Sequence, residues 1–347
     1  MIINRVFLIR GGESDMVKVV DKEGLKQFLQ KLSEDFNIIA PVARKKGKKE
    51  VVEFSYVDDF ASIDYDNQPD TSPKEFFIPQ NEKLAKTNRN KDKEQNILFG
   101  VRSCDIEALK VLDSVFLDED YVDEYYKNMR ENTIVFALSC ADRFKSCFCD
   151  KIGIDPVENT SEPFTVYKFD EEFWIKVNDS EYEGIVSDLK DGNQEELEDK
   201  IQARRDSFTE TNFNLDISLP LSDSELFNAP IWEEIAEKCL GCGVCTFYCP
   251  TCYCFGFFWD DEKYRNWDSC MFSMFTKHAS GHNPRETQDQ RWRQRLLHKF
   301  SYHPQNFDGQ LACVGCGRCV NRCPVNLDIR KALKIVERYL NEKGGGQ

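Results

Sequence analysis

Eight cysteines carry the first chemical signal. They form two runs of the same spacing, Cys239, Cys242, Cys245, Cys249 and Cys313, Cys316, Cys319, Cys323, with Pro250 and Pro324 directly behind them. Each run reads C-x2-C-x2-C-x3-C-P. Three thiolates two residues apart let a tight loop wrap one face of an iron–sulfide cube, and the fourth, redirected by the proline, reaches a second cube. Gly241, Gly243, Gly315 and Gly317 leave room for backbone amides to approach the sulfides. The spacing predicts two [4Fe–4S] clusters with crossed ligation: one on Cys239, Cys242, Cys245 and Cys323, the other on Cys313, Cys316, Cys319 and Cys249. Zinc modules more often show two separated pairs and histidine. With every iron held by thiolate, no coordination site is open to substrate, and one-electron transfer is the chemistry that remains.

Seven further cysteines are less tightly patterned. NILFGVRSC and TIVFALSC each read as a buried strand running straight into a thiol, Cys104 and Cys140. Ligands of parallel sheets gather beyond the carboxyl ends of strands, so these two could meet there with the Cys147-x-Cys149 loop folded over them. A third [4Fe–4S] cluster on Cys104, Cys140, Cys147 and Cys149 is one reading; thiols buried as small hydrophobes and redox-active thiols are the others. Cys252, Cys254 and Cys270 either ligate or pack. Three thiols complete no cube without Cys149 or a non-cysteine ligand.

No catalytic residue stands out. Acid–base pairs cannot be picked from 61 carboxylates, and His278, His282, His298 and His303 are scattered through the cysteine-rich half. His282, in SGHNPR, reads first as a structural or capping hydrogen-bond partner. No G-x-G-x-x-G follows a strand and no Walker motif occurs, so the chain is not expected to bind NAD by itself.

The elements that must position these thiols divide into two domains. Residues 1–228 alternate apolar runs (VFLIR, FNIIAPVA, VVEFSYV, NILFGVRSCD, TIVFALSCAD, FTVYKF) with helical patterns (KEGLKQFLQKLSEDF, DIEALKVLDSVFL), which predicts a layered α/β domain with a mostly parallel sheet. ARKKGKKE and KTNRNKDKEQN read as loops, and SDLKDGNQEELEDKIQARRDSF as an exposed charged helix. DISLPLSDSELFNAP, rich in proline, serine and aspartate, marks the boundary. Residues 229–347 are then a two-cluster, ferredoxin-like domain. Residues 250–312, 63 in number, separate its cysteine runs, which implies a helical insertion over about 255–310 that docks a partner or walls the clusters. Within it, NPRETQDQRWRQRLLHKF predicts a helix with Asn283 as cap and Pro284 at its first position, and NLDIRKALKIVERYL predicts a terminal amphipathic helix.

Composition sets the outer limits. The 347 residues are 41% hydrophobic, enough for a sizeable core. A net charge of −15 argues against nucleic acid as a partner. Against that balance, residues 284–303 hold Arg285, Arg291, Arg293, Arg295 and Lys299, as anionic centres nearby would require; a solvated helix face is the alternative. The opening MIINRVFLIRGGES is too short to span a bilayer and reads as a strand, not a signal peptide. No run approaches eighteen apolar residues. A cytoplasmic location follows, where thiols stay reduced and clustered cysteines hold metal.

Several stretches resemble one family, the iron–sulfur subunit common to cytoplasmic sulfhydrogenase, where it is the beta subunit, and anaerobic sulfite reductase. They are FGVRSCDIEALKVLD, the CFCD at 147–150, CLGCGVCTFYCPTCYCF, RNWDSC, and HKFSYHPQ through CVGCGRCVNRCPVNLDI. Ser103 stands where the family's pattern has proline. The resemblance implies a non-catalytic electron-transfer subunit of a multisubunit anaerobic oxidoreductase, with two [4Fe–4S] clusters. Its partners would be a flavin-containing subunit linked to NAD(P)H or ferredoxin and a catalytic hydrogenase or reductase subunit. A rival from another class makes the N-terminal domain a flavin-binding catalytic unit fed by the clusters.

Overall fold

The runs NILFGV and TIVFAL are buried along almost their whole length, the pattern of strands covered on both faces. They sit at the centre of an eight-stranded sheet in the computed structural model, which describes residues 12–84, 95–209, 211, 213–215 and 218–344. The expected strand VFLIR and most of the expected loop at 86–96 lie outside the described residues.

In chain order the first half gives β1 (Val17–Asp21), α1 (Lys22–Leu32), β2 (Asn37–Lys46), β3 (Lys49–Tyr56), β4 (Asn81–Lys83), β5 (Asn96–Val101) and α2 (Ser103–Phe116). There follow α3 (Glu124–Glu131), β6 (Thr133–Leu138), β7 (Phe164–Phe169), β8 (Glu172–Val177), β9 (Lys190–Asp191) and α4 (Gln194–Ser207). The main sheet runs β3-β2-β5-β6-β7-β8-β1-β9. Alternate residues of a strand face opposite sides: Ile97 and Phe99 pack with Leu25 and Leu29 of α1, whereas Leu98 and Val101 pack with Ile106, Leu109 and Leu112 of α2.

The α/β class holds, but the sheet is mixed. Parallel pairing joins only β2, β5, β6 and β7, and both flanks are antiparallel. The cause is connection length. β7 and β8 are joined by Asp170 and Glu171, with Asp170 at φ 51°, and so short a link permits only an antiparallel hairpin. ARKKGKKE, expected as loop, is likewise a hairpin: β2 and β3 pair out to Lys46 and Lys49 around Gly47, whose φ is +65°.

The second half supplies α5 (Ile231–Ala236), β10 (Phe255–Trp259), β11 (Lys263–Trp267), α6 (Gln288–Leu297) and α7 (Ile329–Gly344). The insertion expected to be helical opens instead with the β10–β11 hairpin, and β11 pairs with β4 from the first half. Nor does α6 start at Asn283. Thr287 caps it, in a capping box with Gln290, which satisfies two orphan donors reciprocally. The apolar faces of α5, α6 and α7 meet in one core through Trp232, Ile235, Trp292, Leu296, Leu333 and Val336.

Candidate metal centres

Both cysteine loops turn through left-handed glycines. Gly241, Gly243, Gly315 and Gly317 have φ of +65°, +74°, +61° and +75°, a region where a Cβ is strained. Space is also short. A Cβ on Gly315 would lie 2.6 Å from Cys149 N, and one on Gly317 2.5 Å from Ser146 O. These turns aim the thiols inward. Amide-to-sulfur bonds follow, from Gly241 N to Cys239 Sγ at 3.5 Å and from Leu327 N to Cys323 Sγ at 3.2 Å.

The thiols line two adjoining cavities. Cys239, Cys242, Cys245 and Cys323 line the first, of about 430 Å³ of empty space, together with Trp292 and Arg295. The second, of about 310 Å³, is lined by Cys249, Cys313, Cys316 and Cys319, with Arg295, Lys299 and Phe148. Arg295, Cys319 and Ile329 belong to both linings. The fourth cysteine of each run therefore lines the cavity of the other run.

The electrostatics call for a cofactor. Burial pushes the thiols of Cys313, Cys316 and Cys319 up to about 11, 12 and 12, so bare thiols here would stay neutral, and ligation to iron is what ionises such groups. Cations with no carboxylate partner among the described residues lie beside the sulfurs. Lys299 donates to Cys249 Sγ at 3.3 Å, to Thr251 Oγ1 at 2.9 Å and to the Ala312 carbonyl at 2.8 Å. Burial opposes the charges of Lys299 and Arg295; once the neighbouring thiols ionise, Cys249 foremost for Lys299 and Cys245 for Arg295, their negative charge outweighs it and holds both protonated. Two buried donors on residues of the first cavity, Trp292 Nε1 and Arg295 Nε, have no hydrogen-bond partner among the described residues. An anionic group rich in acceptors, such as a thiolate-held iron–sulfide cube, would satisfy both. A single ion does not fit as well: no three described His, Cys, Asp or Glu side chains converge to hold one, whereas tetrahedral zinc would draw its sulfurs to within about 3.8 Å of each other.

Within the basic 284–303 stretch, Arg295 and Lys299 lie at the cavities, whereas Arg291 donates to the Phe272 carbonyl at 3.0 Å. Arg291, Arg295 and Lys299 recur at four-residue steps and are 2–3% exposed; Arg293, off that face, stacks on the Phe227 ring at 3.8 Å. The four-residue recurrence was the available signal. Lys74, Asp105, Arg318 and Trp292 carry no such signal, because their roles come from tertiary contact. Lys74, lowered to about 8 by burial, donates to the carbonyls of Cys249 at 3.0 Å and Cys252 at 2.9 Å. Arg318, inside the second run, forms a buried bidentate pair with Asp105 at 2.6 and 2.8 Å.

Cys104, Cys140, Cys147 and Cys149 are all buried and come together beyond the ends of β5 and β6. Cys147, paired with the Cys149 thiol and facing Arg143, is lowered to about 7. Arg102 beside Cys140 is 3% exposed and its Nε lacks a partner among the described residues. The loop abuts the second run, with Phe148 N donating to the Gly315 carbonyl at 2.8 Å. Cys252, Cys254 and Cys270 form a separate group: Cys270 pairs with Cys254, and Cys252 with Cys249. Cys149 lies with the other quartet and is not the thiol that pairs with them. Of the histidines, His298 meets Tyr253 Oη at 3.2 Å and His303 meets Gln310 at 3.3 Å; His278 and His282 pack ring to ring, 5.5 Å apart.

Comparison with known proteins matches residues 238–327 to the family described as 4Fe-4S dicluster domain. Over 337 residues the chain is 30% identical to sulfhydrogenase 2 subunit beta of Pyrococcus furiosus, covering 92% of this chain and 97% of that protein. No solved structure matches it.

Proposed function

Because the chain belongs to the iron–sulfur subunit family of sulfhydrogenases and carries a 4Fe-4S dicluster domain, we propose that it is the electron relay of a multisubunit anaerobic oxidoreductase. Two [4Fe–4S] clusters, on Cys239, Cys242, Cys245 and Cys323 and on Cys313, Cys316, Cys319 and Cys249, would supply one-electron transfer. The observation that carries this reading is the sorting of the two quartets into adjoining cavities around Arg295. The chain's own residues hold the thiolates, balance their charge with Arg295 and Lys299, and exclude water with Trp292, Phe148 and Ile329.

The partners in this reading are a flavin-containing subunit linked to NAD(P)H or ferredoxin and a catalytic subunit of hydrogenase or sulfite reductase type. A cytoplasmic complex is consistent with the absence, among the described residues, of any helix long and apolar enough to cross a membrane. A third cluster on Cys104, Cys140, Cys147 and Cys149 belongs to the same proposal, supported by their shared burial and by the unpartnered Arg102 Nε. The same proposal divides the chain into residues 1–228 and 229–347. Iron and acid-labile sulfide analysis of anoxically purified chain tests the set. About twelve irons per chain is expected, about eight removes the third cluster, and iron-free material removes the relay.

A further inference from the structure

Away from the cysteine cavities, an open cleft gathers five cations in a chain of net charge −15. Arg143 and Lys145 form one wall, in the loop after β6; Arg330, Lys331 and Lys334 form the other, at the start of α7. Arg143 is paired with Asp150 at 2.6 Å, Arg330 with Asp328 at 2.7 Å and Lys334 with Glu337 at 2.5 Å. Lys145 and Lys331 are exposed and have no ion pair or hydrogen bond among the described residues. The positive end of the sixteen-residue α7 adds to the field.

The floor is aromatic. Phe144 is half-buried and Phe213 buried. The Phe213 ring meets Phe148 edge-on, centroids 5.3 Å apart, and Phe148 lines the cavity of Cys249, Cys313, Cys316 and Cys319. The cleft is thus one aromatic contact from a cysteine cavity. Its cavity volume is about 510 Å³, within the range of small-ligand sites.

We propose that this cleft binds a phosphate-bearing redox nucleotide of the flavin mononucleotide class, phosphate at Lys145 and Lys331 and planar ring toward Phe144. A bare anion would not need the aromatic floor, and an apolar ring would not need two unpaired lysines. Side-chain cations here do what a glycine-rich loop does elsewhere. The purpose of the ligand rests on the relay reading; its binding does not, and is measured separately from iron content.

The test titrates FMN into the full, anoxically purified chain and follows quenching of flavin fluorescence. Saturable binding is expected, displaced by inorganic pyrophosphate and about tenfold or more weaker for riboflavin, which lacks the phosphate, since one charge-assisted contact accounts for such a factor. Lys145→Glu combined with Lys331→Glu should weaken FMN by a similar factor and leave riboflavin unchanged, with wild-type iron content and circular dichroism. Absence of saturable FMN binding, equal affinity for FMN and riboflavin, or FMN affinity unmoved by the double charge reversal each overturns the proposal. Binding of NADPH where FMN fails overturns the flavin assignment. Iron-free protein that still binds FMN would sink the relay and leave this site standing.

Discussion

Lys299 touches a cysteine sulfur with its ammonium, at 3.3 Å from Cys249 Sγ, and is 3% exposed. A cation so placed favours the more reduced, more negative state of whatever that sulfur holds. Lys299→Met should therefore make the potential of the second centre more negative, by roughly 100 mV at the effective dielectric of a protein interior; an EPR-monitored redox titration checks it, and an unshifted potential would contradict the role. His298, one residue earlier, titrates against folding. Burial lowers it to about 4, while the unfolded chain keeps about 6.5. The unfolded state then binds more protons between these values. Its stabilisation is complete above pH 6.5 and is lost as pH falls toward 4, a change of roughly 3 kcal/mol. Denaturant unfolding followed by tryptophan fluorescence should show this slope, and His298→Leu should flatten it. At this scale the eight clustered thiols were legible because their spacing repeats along the chain. The cations around them were half legible, since a helix face can be read but what it faces cannot.

Among elements, glycines at turns matter in two separable ways. Gly47 and Gly315 both need positive φ, but a Cβ on Gly47 meets open space while one on Gly315 meets the backbone of Cys149. Gly47→Ala should cost about 1–2 kcal/mol from backbone strain alone. Gly315→Ala adds a clash with main chain, which yields less than a side chain tip does, and should cost about 2–4 kcal/mol. It should also lower iron per chain, which Gly47→Ala should leave intact. Unfolding free energies and iron assays on the two variants separate the effects. The continuous apolar runs of β5 and β6 and the periodic faces of α1, α2 and α7 were readable from sequence. β1 and β8 were not: β1 finds its partner β8 far along the chain, and DEE between β7 and β8 masks a two-residue turn. The β10–β11 hairpin escaped because β11 is completed by a strand far away in sequence, β4.

The whole molecule is interlocked across the boundary near residue 228. Arg318 of the second cysteine run pairs with Asp105 of α2, both essentially buried, and donates to the Pro69 carbonyl at 2.9 Å. Gln68 donates to the Cys316 carbonyl at 2.8 Å, and Lys74 to that of Cys249. Burial opposes the charge of Arg318, but Asp105 outweighs it and the guanidinium stays protonated. Asp105→Ala therefore strands a buried cation, a change of about 3–5 kcal/mol. Measured unfolding should show that loss, and the residual protein should hold less iron in the second centre than in the first. Loss below about 1 kcal/mol would mean the halves are not coupled through this pair.

The two cysteine cavities are not equally sheltered. Cys242 is exposed and its neighbour Leu240 is 67% exposed, whereas Cys249 and Cys316 of the other quartet are buried. Air reaches sulfur first where sulfur is at the surface. The protein should accordingly bleach in two stages on aeration, the Cys239–Cys245 side fading while the inner side keeps its colour. The same doorway that lets oxygen in is where a partner's redox group can come nearest.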